Sequence, residues 1–173
     1  MQNKRGISQA LSPGQAGVSL RRATVFDVFG LSRVLVRSIT RLCEADHGNQ
    51  PDQIAAWTAN KDPQSVRNWI ISGTQIWLAE RNGNVAAVGG LRAPAEISLL
   101  YVDPGHAGQG VGAALLSRLE AELATSGAPV AHLMSTRTAL GFYRPYGWVA
   151  AGEPADWNGM PQFPLRKSLH PPG

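Results

Sequence analysis

Three glycines at alternate positions, Gly108, Gly110 and Gly112, stand between the apolar run Leu99 to Val102 and a long stretch, Val111 onward, whose apolar residues recur at helical spacing. Strand, glycine loop and helix together make an anion-binding device. The first turn of a helix leaves its backbone N–H groups unpaired, and the aligned peptide dipoles place about half a positive charge there. Without Cβ atoms in the way, a pyrophosphate can approach several of those donors at once. Two common phosphate-binding alternatives fail at specific positions. A dinucleotide-binding loop needs a carboxylate at the end of the next strand, and Ala128 to Ser135 contains none. A nucleotide-hydrolysing loop needs Lys then Ser or Thr after its last glycine, where Ala113 and Ala114 stand.

Two sequence blocks then narrow the reading. Ala107-Gly-Gln-Gly-Val-Gly112 is similar to the Q/R-x-x-G-x-G/A pattern that opens the central helix in the GNAT superfamily of N-acetyltransferases, except that Ala107 replaces the usual Gln or Arg. Thr136-x-x-Ala139-x-x-Phe142-Tyr143-x-x-Tyr146-Gly147-Trp148 resembles a second block of that family, with Thr136 in place of a common Asn. The resemblance runs in element order from Val18 to Leu169, and its specific motifs lie between Glu96 and Trp148.

The resemblance implies acetyl-CoA as acyl-donor cosubstrate. Its pyrophosphate would lie on main-chain donors of Ala107, Gly108, Gln109, Gly110, Val111, Gly112 and Ala113, and its pantetheine arm beside Leu100, Tyr101, Val102 and Thr136. A backbone N–H there would polarise the thioester carbonyl, an interaction that can be worth roughly 3 to 4 kcal/mol in the transition state. The acceptor amine would attack the thioester directly in a ternary complex. Tyr143, which the resemblance sets beside the sulfur, is the candidate general acid for the departing thiolate; the plainer alternative is packing against Phe142. Glu96, at the head of the strand leading to the reaction centre, is the candidate base through water, or else a surface carboxylate at a strand start. His132 is the ionisable group of the following strand. The resemblance implies acceptor contacts from Cys43, Asp46, His47 and Trp57, with Trp69 a further candidate; the plainer alternative is a solvated helix terminus with Trp57 in the core. The expected acceptor is a small-molecule amine or a peptide. The alternatives are a coenzyme A-binding sensor that transfers nothing and a protein-interaction module. The resemblance also allows a homodimer.

Placing these residues requires a framework. The chain has 173 residues, 43% of them hydrophobic, which is enough for one core. Residues 1–17, rich in Gly, Ser and Gln, read as a tail and 18–173 as a single domain. The resemblance implies an α/β (α+β) fold class: a mixed, mostly antiparallel GNAT-like sheet of six to seven strands, splayed in the middle and flanked by four to five helices. Helices are expected from Val28 to about Gly48 behind a Thr24–Asp27 cap, over Pro51–Asn60, from Asp62-Pro63, from Gly110 to Gly127, and over Thr136–Tyr146. Strands are expected at Val18–Arg21, Gln75–Glu80, Val85–Leu91, Glu96–Val102 and Val130–Ser135, and around Trp148 and Phe163–Leu169.

Sixteen basic against twelve acidic residues give a formal charge of +4, scattered rather than clustered, which argues against a nucleic-acid partner. No run reaches the ~20 apolar residues that span a bilayer, and the single cysteine has no partner for an internal disulfide. No zinc-ligand spacing occurs. A cytoplasmic location without membrane or metal is the expectation.

Overall fold

The computed structural model describes residues 17–169, so the tail expected over 1–17 lies, apart from Gly17, outside the described residues. β1 (Val18–Arg22) leads through a 3-10 turn into α1 (Val28–Leu42). Thr24 and Asp27 cap that turn reciprocally, as their spacing predicts. The helix stops at Leu42, short of Gly48: Cys43 leaves helical geometry and a separate α2 (Glu44–His47) ends on Gly48 in the left-handed region. α3 (Pro51–Thr58) and α4 (Pro63–Ile71) follow, the latter capped by the Asp62 side chain.

β2 (Gln75–Arg81) and β3 (Asn84–Arg92) form the expected hairpin, and β4 (Glu96–Val102) pairs with β3 antiparallel. α5 (Val111–Thr125) lies across β2, β3 and β4, burying Leu115, Leu116 and Leu119. β5 (Val130–Ser135), α6 (Leu140–Tyr143), β6 (Val149–Ala150), β7 (Ala155–Trp157) and β8 (Met160–Ser168) complete the described chain. The helix expected from Thr136 is shorter, because Thr136–Ala139 form a turn in which the Thr136 hydroxyl accepts from Ala139 N–H.

The sheet runs β1-β2-β3-β4-β5-β8-β6, with β7 folded back on β8 beyond the six to seven strands expected. Every junction is antiparallel except β4–β5. That parallel pairing lasts for two residue pairs, Glu96 with His132 and Ile97 with Leu133. Beyond it the strands part, while β5 stays paired with β8 along its full length. The β3–β4 register also shifts between Gly90 and Leu91, so Ser98 bulges from β4. A Cβ on Gly90 would stand 2.9 Å from Ser98 Oγ and one on Gly89 2.7 Å from a Leu119 methyl, so the glycine pair gives room for both bulge and helix.

α5 is tied to the far end of the sheet by Glu120. One carboxylate oxygen accepts from Trp148 Nε1 at 2.9 Å and the other from Lys167 Nζ at 2.8 Å. All three groups are largely shielded from water, so removing the carboxylate leaves an indole N–H and an ammonium without partners. Glu120→Ala is expected to lower stability by about 1–3 kcal/mol in chemical denaturation. A change near zero would mean that Glu120 is only a solvated surface group.

Candidate active site

Where β4 and β5 part, a cavity of about 500 Å³ opens between Ile97–Val102 on one side and Leu133–Thr136 on the other. Because β4 has lost its neighbour beyond Ile97, that edge presents backbone groups to the cavity rather than to a strand. The cavity continues to the start of α5, past His106, Ala107, Gly108, Gly110, Val111, Gly112 and Ala113. Gly108 and Gly110 both have positive φ, +71° and +78°. Gly110 caps α5 without any side-chain hydrogen bond, so the first N–H groups of the helix are open to a ligand. Gly112, which lines the cavity, also serves packing. It is buried, and a Cβ there would meet Val102 Cγ2 at 3.0 Å, so this glycine lets helix and strand approach.

The loop is held from both sides. Gln109 accepts from Arg81 Nη1 at 2.6 Å and is otherwise exposed. Asp103 accepts from Gly105 N–H at 2.9 Å and from Arg37 Nε at 2.9 Å. Burial works against the charge on Asp103, but the Arg37 and Gly105 hydrogen bonds and the charges of Arg37 and Arg33 outweigh it and hold the carboxyl below its usual range. Ala107 offers no reach toward a phosphate, but its neighbour His106 lines the cavity with a buried Nδ1 that has no partner among the described residues. The glycine cradle, the bare helix start and this unpaired nitrogen fit a pyrophosphate.

At the other end of the same cavity lies Tyr143, 5% exposed. Its ring is fixed edge-on between Phe142, 5.1 Å away, and Trp148, 6.0 Å away. Burial, with a further contribution from Tyr101, pushes its phenol above the usual value, so it stays protonated at neutral pH. The phenol of Tyr101, a residue expected beside the pantetheine arm, is raised by burial too and accepts from Trp57 Nε1 at 3.2 Å.

The expected acceptor residues separate into two groups. Cys43 lines the cavity, and burial, assisted by the charge of Asp46, pushes its thiol up to about 12. The Asp46 carboxylate accepts from Arg137 N–H, Thr138 N–H and the Thr138 hydroxyl, strapping α2 to the turn after β5. His47 is 1% exposed; Nδ1 accepts from Asn49 N–H, which leaves Nε2 to donate to Ile39 carbonyl oxygen at 2.8 Å. Both ring nitrogens are thus engaged within the protein. Trp57 and Trp69, by contrast, line a second cavity of about 750 Å³ with Asn60, Lys61, Arg92, Trp157 and Gln162. This cavity shares Ser98, Leu99 and Tyr101 with the first, so the β4 bulge is a wall common to both. Lys61 and Trp157 carry no local motif and went unread in the sequence. Glu96 lines neither cavity; its carboxylate lies 3.5 Å from Arg92 at the closed end of the splay, and the exposed His132 is its register partner.

A family model described as acetyltransferase (GNAT) domain matches residues 30–169. The chain belongs to the GNAT family of acetyltransferases. A GCN5-related N-acetyltransferase from Rhodopseudomonas palustris superposes with a TM-score of 0.79 at 26% identity, covering 88% of this chain and 96% of that one. PaiA N-acetyltransferase of Thermoplasma acidophilum, solved with coenzyme A, gives 0.72 at 18% identity over 87% and 98% of the two chains. YncA of Salmonella typhimurium, described with its cofactor acetyl-CoA, gives 0.63 at 17% identity over 91% and 97%. Comparison with curated protein sequences finds no significant match. Within the GNAT domain no helix of the described residues is long and apolar enough to cross a membrane.

The clamp on the GNAT loop has a pH signature. Asp103 is held below its unfolded pKa of about 3.9, so its contribution to stability is complete above that pH and is lost as pH falls through the lower folded value. Arg37→Leu is therefore expected to cost stability at pH 7, with the gap from wild type narrowing below about pH 4 in urea unfolding series. A gap independent of pH down to acid unfolding would contradict the clamp.

Proposed function

We propose that this GNAT domain transfers the acetyl group of acetyl-CoA to a primary amine, by direct attack within a ternary complex. The observation that carries the reading is a pair of cavities that share the β4 bulge as a wall. One reaches from the open start of α5 into the splay and suits a phosphorylated, extended donor; the other is free for an acceptor.

On this reading the pyrophosphate of acetyl-CoA lies on the N–H groups at Gly108–Ala113, with His106 beside it and Ala107 contributing main chain alone. The pantetheine arm lies along the unpaired edge of β4 at Leu100, Tyr101 and Val102, taking the place of an absent strand. Thr136 lines that path, although its hydroxyl is occupied with Ala139 N–H. The thioester then falls near Ser98 and Leu99, where a backbone N–H freed by the bulge polarises the carbonyl.

The neutral amine enters from the second cavity, past Trp57, and attacks the carbonyl carbon. The C–N bond forms, the C–S bond breaks, and the phenol of Tyr143 gives its proton to the departing thiolate. Its raised pKa keeps that proton available throughout the neutral range. The proton from the amine leaves through water, with Glu96, the carboxylate nearest Ser98 in sequence, as the proposed sink.

Tyr143→Phe keeps the ring packing and removes the proton. It is expected to lower kcat by about 10²- to 10⁴-fold, with the coenzyme A Kd from calorimetry nearly unchanged. Undiminished turnover would remove Tyr143 from the reaction, and a matching loss of coenzyme A affinity would assign it to binding.

A further inference from the structure

The second cavity contains a buried charge that the transfer reaction does not explain. Lys61, between α3 and α4, is 8% exposed, although lysine is seldom buried without an ionic partner. Its backbone is fixed, with N–H donating to Thr58 carbonyl oxygen at 3.0 Å and its own carbonyl accepting from the buried Ser32 hydroxyl at 2.6 Å. The ammonium donates to Trp57 carbonyl oxygen at 3.3 Å and to Asn60 Oδ1 at 2.6 Å, both neutral, and stands 5.8 Å from the Trp69 ring centre. An ammonium has three donors, so one is left over. No carboxylate among the described residues lies within ion-pairing distance of it, and burial lowers its pKa accordingly.

The remaining wall has a consistent chemistry. Trp57, Trp69 and Trp157 supply flat apolar surface, with Trp157 brought in by the β7–β8 hairpin, which is joined to α3 by the Gln53 amide donating to Asn158 carbonyl oxygen at 3.2 Å. Arg92 stands at the exposed rim, partly balanced by Glu96. The lining contains two cations and no Asp or Glu. A polyamine or a lysine-rich peptide would bring positive charge to positive charge, with nothing to bind its extra ammonium groups. A carboxylate would give Lys61 its missing partner, and an apolar body would lie on the indoles.

We infer that the acceptor is an amino-carboxylate, a primary amine that also bears a carboxylate and an apolar or aromatic side chain. Its carboxylate is held by Lys61, its side chain by Trp57, Trp69 and Trp157, and its amine is directed at the Ser98–Leu99 bulge. This rests on the transferase reading for the amine but on the cavity alone for the carboxylate.

The test measures thiol release from acetyl-CoA with phenylalanine, tryptophan and leucine, with their amides, with phenethylamine and tryptamine, and with spermidine. Calorimetry of the same compounds against the coenzyme A-bound protein accompanies it. The acids are expected to exceed their amides and the decarboxylated amines by at least about 10-fold in kcat/KM, a factor equivalent to about 1.4 kcal/mol. Lys61→Met, which keeps most of the buried stem, is expected to raise KM for the acids about 10-fold or more and to erase the preference of acid over amide, at unchanged coenzyme A affinity. Amides, simple amines or spermidine matching the acids on wild-type protein would overturn the inference while leaving the transferase reading standing. Acids that bind through Lys61 without thiol release would do the reverse. Neither binding nor turnover of any amino-carboxylate would also overturn it. The wild-type comparison needs no variant to fold.

Discussion

The architecture turns on a hydrogen-bond ladder that stops. β4 and β5 share two residue pairs and then separate, and an unpaired strand edge inside a folded protein must find other partners or face water. Several features keep it open. β5 is paired throughout with β8, and the turn after it is strapped to α2 by Asp46. Ser98 bulges from β4 with Gly90 making room. Gly112 lets α5 lie close to Val102, so the helix start comes to the mouth of the split. An extended ligand ending in phosphates answers both open ends at once, with strand-like pairing along β4 and anion binding at the helix.

The electrostatics divide along the same line. On the donor side, positive potential comes from main-chain N–H groups and the helix dipole, which cannot be titrated away, while Asp103 is neutralised by Arg37 so that it does not oppose an incoming phosphate. Deeper in the cavity the phenols of Tyr101 and Tyr143 and the thiol of Cys43 are all raised by burial and uncharged at neutral pH. On the proposed reaction, a thiolate formed there would meet a proton donor rather than a competing anion. In the second cavity, Lys61 is a side-chain cation held in place by α1, α3 and Trp69, and on the proposed reading it would distinguish acceptors by charge.

Much of this could be read from local sequence. The hairpin of β2 and β3, the bounds of β4, the Gly110 start of α5 and the caps at Thr24 and Asp62 follow from period and capping chemistry within a few residues. The succession of strand, glycine loop and helix was legible for the same reason, and Gly112 adds a packing role that its spacing does not report. What escaped the sequence depends on distant partners. α1 breaks at Cys43, and Asp46 and His47 bond to Thr138 and Ile39, 92 and 8 residues away, contacts that their own spacing does not announce. Lys61 and Trp157 converge on one cavity from positions nearly a hundred residues apart, which no spacing rule reports. One missed feature did leave a signal: Gly89-Gly90 in mid-strand marks a close approach or a bulge, and here it marks both.

Amide hydrogen exchange, measured with and without saturating coenzyme A, reports which main-chain donors the ligand engages. New protection is expected in two separated stretches alone, Leu99–Val102 on the free edge of β4 and Gly108–Ala113 at the start of α5. Binding that left both stretches exchanging as in the free protein, or that protected a surface elsewhere, would contradict that binding mode.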